Sequence, residues 1–285
     1  MSYRTLMSVA ELQPLLKGNA APLLIDCSFD LADTEAGRRA YVQGHLPGAH
    51  YLHLDEDLSG AKTDAQGVFR GRHPLPDRER LAATLAGLGL TAGRQLVAYD
   101  AQGGMYAARL WWLARWLGHE AVAVLDGGLP AWRAAGLPLS AELPSRPTPG
   151  SFEASAALER TLDAEALQQQ LGRLRLVDAR APERYRGDVE PLDAKAGHIP
   201  GARNRFFKDN LQADGRFKPA EQLKAEFLPL LAPYASEQVV HQCGSGVTAC
   251  HNLLAMRHAG LSGAALYPGS WSEWSADPER PVARG

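Results

Sequence analysis

Three cysteines in 285 residues are too few, and the wrong parity, for a disulfide framework. A reducing compartment, the cytoplasm, is the expectation. The chain also lacks long hydrophobic runs. Its densest apolar stretch, "ARLWWLARWLG" (108–118), is short and carries two arginines, far from the roughly 18 uninterrupted apolar residues of a spanning helix. The start, "MSYRTLMSVAELQPLL", has neither the basic opening nor the apolar run of a secretion signal. There is no excess of either charge: 30 Lys and Arg stand against 32 Asp and Glu. No nucleic-acid or membrane partner is therefore expected, and any anion site must be built locally. A hydrophobic content of 45% is enough for a full core in each of about two domains.

What the sequence does have is an internal repeat. "LLIDC" (23–27) returns as "RLVDA" (175–179), "GHLPGAH" (44–50) as "GHIPGAR" (197–203), "VAYDAQGGMYAAR" (97–109) as "VVHQCGSGVTACH" (239–251), and "LDGGLPAW" (125–132) as "YPGSWSEW" (267–274). Residues 97–132 align with 239–274 without a gap, and eight of the 36 pairs are identical. That fraction is weak by itself; four blocks in one order make duplication the reading. The domains are expected at 1–140 and 156–285, joined by a Pro- and Ser-rich linker at 141–155.

Within each copy, short apolar or β-branched runs alternate with helical patterns. "LLID", "QLVAYD", "AVAVLD", "LRLVD", "QVVHQ" and "GAALYP" are predicted strands. "YAARLWWLARWLG" and "VTACHNLLAMRHAG" are predicted helices, each ending at a glycine suited to a C-terminal cap. Strand, loop, helix, strand implies an α/β fold with a mainly parallel sheet flanked by helices in each domain. In such folds ligands bind beyond the carboxyl ends of the strands.

One loop at such an end holds a cysteine among small polar residues: "HQCGSGVTACH" (241–251). The predicted strand delivers Cys243 to the sheet edge, and the helix starts near Val247. Gly244 and Gly246 permit positive φ and close approach, so the N–H groups of 244–248 can surround an anionic sulfur. Ser245 and Thr248 add hydroxyls, and the helix N-terminus adds partial positive charge. This pattern predicts a nucleophilic thiolate titrating below the free cysteine value. A phosphatase loop is excluded, because no arginine follows within it; the residue after Thr248 is Ala249. The spacing of His241, Cys243, Cys250 and His251 fits no common zinc site. Cys27 and Cys250 are expected as packing residues. Position 101, opposite Cys243 in the first copy, is alanine, which points to one active copy and one supporting copy.

The tandem halves, the "GH(L/I)PGA" blocks, the "CGSGVT" loop and the terminal "GSWSEW" resemble two-domain rhodanese-like sulfurtransferases across essentially the whole chain. The neutral Gly244 and Ser245 are similar to members of the family that use 3-mercaptopyruvate; thiosulfate-using members carry basic residues there. The resemblance implies a non-catalytic first domain, a catalytic second domain, and transfer of sulfur through a persulfide on Cys243, with ping-pong kinetics and no metal or organic cofactor. It also implies a set of Ser245, His73 and Asp55, with the last two coming from the first half and placing the site between the halves. Arg184 takes the donor's carboxylate by the same resemblance, and Gly244, Gly246, Val247 and Thr248 form the loop around it. Arg186 and Tyr106 are further candidate binding residues. Leu192 stands where a second arginine is usual, with Arg186 or Lys195 as candidate replacements. A thiol acceptor, with a thioredoxin-like thiol as the candidate, completes the cycle. Two alternatives stay open: a thiosulfate sulfurtransferase, and a sulfur-carrier or regulatory module loaded by a partner. His45 and His198, present in both "GH(L/I)PGA" blocks, are expected to hold loop backbone. Trp132, Trp271 and Trp274 are expected to pack beneath the loops.

Overall fold

The computed structural model of the chain describes residues 2–18, 21–145 and 148–285. They divide into two compact units. Unit 1 comprises Met1–Ser59, Pro76–Leu158 and Gln212–Phe217; unit 2 comprises Gly60–Leu75, Glu159–Leu211 and Lys218–Gly285.

Unit 1 contains β1 (Leu6–Met7), α1 (Val9–Leu15), β2 (Leu23–Asp26), α2 (Ala36–Gln43), β3 (His50–Tyr51), α3 (Arg78–Gly87), β4 (Leu96–Tyr99), α4 (Ala107–Trp116), β5 (Val122–Leu125) and α5 (Gly128–Ala134). Its strands lie in the order β1-β5-β4-β2-β3, all parallel. Unit 2 contains β6 (Arg160–Thr161), α6 (Ala164–Gln169), β7 (Arg175–Asp178), α7 (Pro182–Arg186), β8 (Arg203–Asn204), α8 (Ala220–Leu231), β9 (Val239–Gln242), α9 (Thr248–His258), β10 (Ala265–Leu266) and α10 (Ser270–Ala276). Its order, β6-β10-β9-β7-β8, repeats that of unit 1 strand for strand, again all parallel.

Every residue of β2, β4, β5 and β9 is buried. A strand covered on both faces needs apolar side chains at successive positions, which is why these runs are continuous rather than alternating. Trp132 anchors one core cluster, and Trp271 and Trp274 anchor its counterpart. The indole N–H groups find backbone partners as burial requires: Trp132 Nε1 donates to Pro138 O (2.9 Å), and Trp274 Nε1 to Pro281 O (2.8 Å). The paired histidines do the same work in both copies. His45 Nδ1 lies 2.7 Å from Tyr41 O and His198 Nδ1 2.8 Å from Tyr185 O, each ring stacked on the tyrosine.

The stretch expected as a linker, 141–155, is laid along unit 1 where it is described; 146 and 147 lie outside the described residues. Gly150 N donates to Ala86 O (2.7 Å), Phe152 N to Leu90 O (3.2 Å) and Ser155 N to Leu117 O (2.9 Å), with the Phe152 side chain buried. Proline and serine content marks irregular backbone, which can be docked as well as free.

Candidate active site

β9 ends one residue before Cys243, paired with β7 through Asp178 and Gln242. The next residues turn sharply into α9, which begins at Thr248 after Val247. Gly246 carries the turn. Its φ is +77°, and a Cβ there would lie 2.4 Å from Pro268 O. Gly244 is required for a different reason: it has no positive φ, but an added Cβ would lie 2.8 Å from Arg72 Nη2. One glycine permits the turn and the other makes room for a cation.

The thiol sits in this turn and is buried, only 2% exposed. Gly246 N–H donates to Cys243 Sγ at 3.1 Å. The cysteine's own backbone is gripped by the start of α10: Ser270 Oγ accepts from Cys243 N (3.1 Å), and Trp271 N donates to Cys243 O (3.0 Å). Ser270 donates in turn to Tyr267 O (2.9 Å). Ser270 adopts φ +54°, the one positive φ of a non-glycine residue among those described. Its counterpart in unit 1, Gly128, has the same φ of +54°. Unit 2 thus tolerates a strained serine, and the gain is a hydroxyl on the Cys243 backbone.

Unit 1 shows what this loop becomes without the thiol. The Asp100 carboxylate accepts from the N–H groups of Gln102 and Gly104 (2.8 Å each) and of Tyr106 and Ala107 (2.9 Å each). The first copy has filled its nest with an internal anion. Gln242 stands at the matching place in unit 2, fully buried, with neither side-chain amide atom hydrogen-bonded. A neutral residue there does not compete for the loop's N–H groups, and that of Gly246 goes to the sulfur.

Two further groups reach the loop from Gly60–Leu75, a segment that precedes most of unit 1 yet folds with unit 2. It is fastened by Arg70 to Glu273 (3.4 Å) and by Arg72 N donating to Ser272 Oγ (3.1 Å). Gly71 passes so close that a Cβ would lie 2.8 Å from Gly269 O. His73 Nδ1 consequently lies 2.7 Å from Ser245 Oγ, and both side chains are buried. Arg72, next to it, turns its guanidinium to Gly244.

α7 supplies a second guanidinium. Pro182 starts this short helix and Gly187, at φ +83°, ends it. Between them, Arg184 has Nη1 and Nη2 3.5 and 3.7 Å from the Cβ position of Gly244. Arg184 also bonds Glu190 (2.7 Å) and Asp193 (3.2 Å), and Asp193 pairs with Arg72 as well. Burial, aided by neighbouring Glu190, pushes the Asp193 carboxyl up against the opposing pull of Arg72 and Arg184.

Of the residues expected at a site, unit 2 brings together Cys243, Ser245, His73, Arg184, Gly244, Gly246, Val247 and Thr248. Arg186 is not among them; it is exposed and paired with Asp188 (2.7 Å). Lys195 Nζ donates to Asp277 O (2.9 Å). Neither replaces the arginine missing at Leu192, which is itself exposed. Asp55 and Tyr106 belong to unit 1. There Asp55 N lies 3.2 Å from His53 Nδ1, and Tyr106 is buried edge-on to Phe29. Sequence reasoning missed Arg72, Asp193, Ser270 and Gln242. The adjacency of Arg72 to His73 in "GRHPLP" was the available signal for the first; a serine replacing a repeat glycine was the signal for Ser270.

A duplicated α/β protein with one thiol-bearing loop and one carboxylate-closed loop is the class this geometry defines. The chain belongs to the rhodanese-like domain family, whose model matches residues 8–135 and again 163–277. It is 51% identical over 266 residues to a Pseudomonas aeruginosa protein named probable 3-mercaptopyruvate sulfurtransferase, covering 92% of each chain. It is 35% identical over 297 residues to the thiosulfate sulfurtransferase of Cricetulus griseus, covering 99% of this chain and 96% of that one. Among solved structures, the 3-mercaptopyruvate sulfurtransferase from Leishmania major matches with a TM-score of 0.83 at 29% identity, over 96% of this chain and 74% of that one. No helix among the described residues is long and apolar enough to cross a membrane.

Proposed function

We propose that the protein is a sulfurtransferase that takes sulfur from 3-mercaptopyruvate and passes it to a thiol through a persulfide on Cys243. The observation that carries this reading is the thiol held by Gly246 N–H in a neutral loop, with the guanidiniums of Arg72 and Arg184 facing Gly244. Two arginine forks suit a carboxylate, and a loop without basic side chains suits a donor with one negative charge.

The Cys243 thiolate attacks the donor's sulfur. The S–S bond forms as the donor's C–S bond breaks, and the electron pair leaves on carbon as the enolate of pyruvate. Protonation of that carbon gives pyruvate. The Ser245–His73 pair, 2.7 Å apart, is placed to polarise the donor's carbonyl and to handle the proton. An acceptor thiolate then attacks the outer sulfur and restores Cys243. A thioredoxin-like acceptor and a cytoplasmic setting fit three cysteines that form no disulfide among the described residues.

The second reading, a thiosulfate sulfurtransferase, is favoured by the 35% identity to such an enzyme and by Leu192. Side-by-side kcat/KM values with one thiol acceptor decide between them. A large preference for 3-mercaptopyruvate is expected; parity or a thiosulfate preference would contradict the assignment.

A further inference from the structure

Behind the loop, six charged side chains of unit 2 form one chain of ion pairs. Arg180 grips Asp178 (2.8 Å) and reaches Glu190 (3.2 Å); Arg184 joins Glu190 (2.7 Å) to Asp193 (3.2 Å); Arg72 ends the chain on Asp193. The side chains of Glu190 and Asp193 are 3% exposed, whereas those of Arg72 and Arg184 are 20% exposed. Arg72 and Arg184 are therefore the outward part, and the carboxylates and Arg180 lie inward of them.

Buried ion pairs add little net stability, so stability alone gives a weak account of Asp193. Its position gives a better one. Among the described residues, Asp193 is the one carboxylate bonded to both guanidiniums that face Gly244; Glu190 pairs with Arg184 but not with Arg72.

We propose that Asp193 sets the charge selectivity of the donor site. By offsetting positive charge on both arginines of the clamp, it favours a singly charged carboxylate donor over a dianion such as thiosulfate. The proposal rests on the sulfurtransferase reading above. Its physical basis is that a change of one unit in site charge acts on a dianion twice as strongly as on a monoanion at the same distance. The pairs are buried enough for salt to screen the effect only partly. Asp193 acts through Arg72 and Arg184 and is a positioning residue.

The test is kcat/KM for thiosulfate and for 3-mercaptopyruvate in the wild type, Asp193→Asn and Asp193→Glu, with circular dichroism as a check on folding. The thiosulfate-to-mercaptopyruvate ratio is expected to rise about tenfold in Asp193→Asn and to return toward wild type in Asp193→Glu. Asp193→Ala, predicted to move the ratio in the same direction, serves where the asparagine variant fails to fold. An unchanged or lowered ratio in the folded neutral variants would overturn the proposal, because a purely structural role lowers both values together. Absence of turnover by the wild type with either donor would overturn the reading beneath it, and the proposal with it.

Discussion

Ser270 shows how one residue can carry strain for a purpose. A left-handed conformation costs a non-glycine residue about 1–2 kcal/mol, and the hydroxyl's bond to Cys243 N–H returns about 1 kcal/mol. Ser270→Ala keeps the strain and loses the bond; Ser270→Gly loses both. The glycine variant is therefore expected to be the more stable of the two by about 1 kcal/mol, the reverse of the usual order, as urea unfolding would show. Gly246 is the opposite case. With φ +77° and Pro268 O 2.4 Å from a Cβ, Gly246→Ala must displace the loop. A fall in kcat/KM on the order of a hundredfold is expected, the cost of a misplacement near 1 Å. His241 contributes at the same scale to acid sensitivity. Full burial pushes its imidazole down to about 3. The unfolded chain takes up that proton below about pH 6.5 and the folded protein does not, so the contribution is present above pH 6.5 and is lost as pH falls toward 3. His241→Leu is expected to shift the acid midpoint of unfolding downward; an unchanged midpoint would contradict this.

At the scale of elements, the strands that bury both faces were legible, because a continuous apolar run bounded by polar turns has few other readings. β9 and α9 fall where "QVVHQ" and "VTACHNLLAMRHAG" place them. The edge strands β1, β3, β6 and β8 were not, since two residues carry no periodicity. The loop was legible through Cys243, Gly244 and Gly246, whose chemistry is local. Its partners were not, because Arg72 and Asp193 are 121 residues apart in sequence and meet only through folding. The closed loop of unit 1 yields its own prediction. Asp100→Ala strands three buried N–H donors and one part-buried, so a loss of about 3 kcal/mol is expected by thermal unfolding. A smaller loss would mean that the loop relaxes to new partners.

At the scale of the molecule, duplication followed by divergence explains the asymmetry of the two units. Both retain the strand order, the histidine–tyrosine stacks and the tryptophan packing. They differ at the loop, where Asp100 and Ala101 of unit 1 correspond in the repeat to Gln242 and Cys243 of unit 2. The repeat made the duplication visible in sequence. The exchange of Gly60–Leu75 into unit 2, which carries Arg72 and His73 to the loop, was invisible because it lies between the repeated blocks. The central claim is that sulfur is held on Cys243 between two half-reactions. The most direct measurement is the mass of the protein after incubation with 3-mercaptopyruvate in the absence of acceptor, followed by peptide mapping. The account predicts one added sulfur atom on the peptide containing Cys243, one pyruvate released per chain, and neither in Cys243→Ser. Pyruvate release from the serine variant, or added sulfur on Cys27 or Cys250 instead, would contradict it.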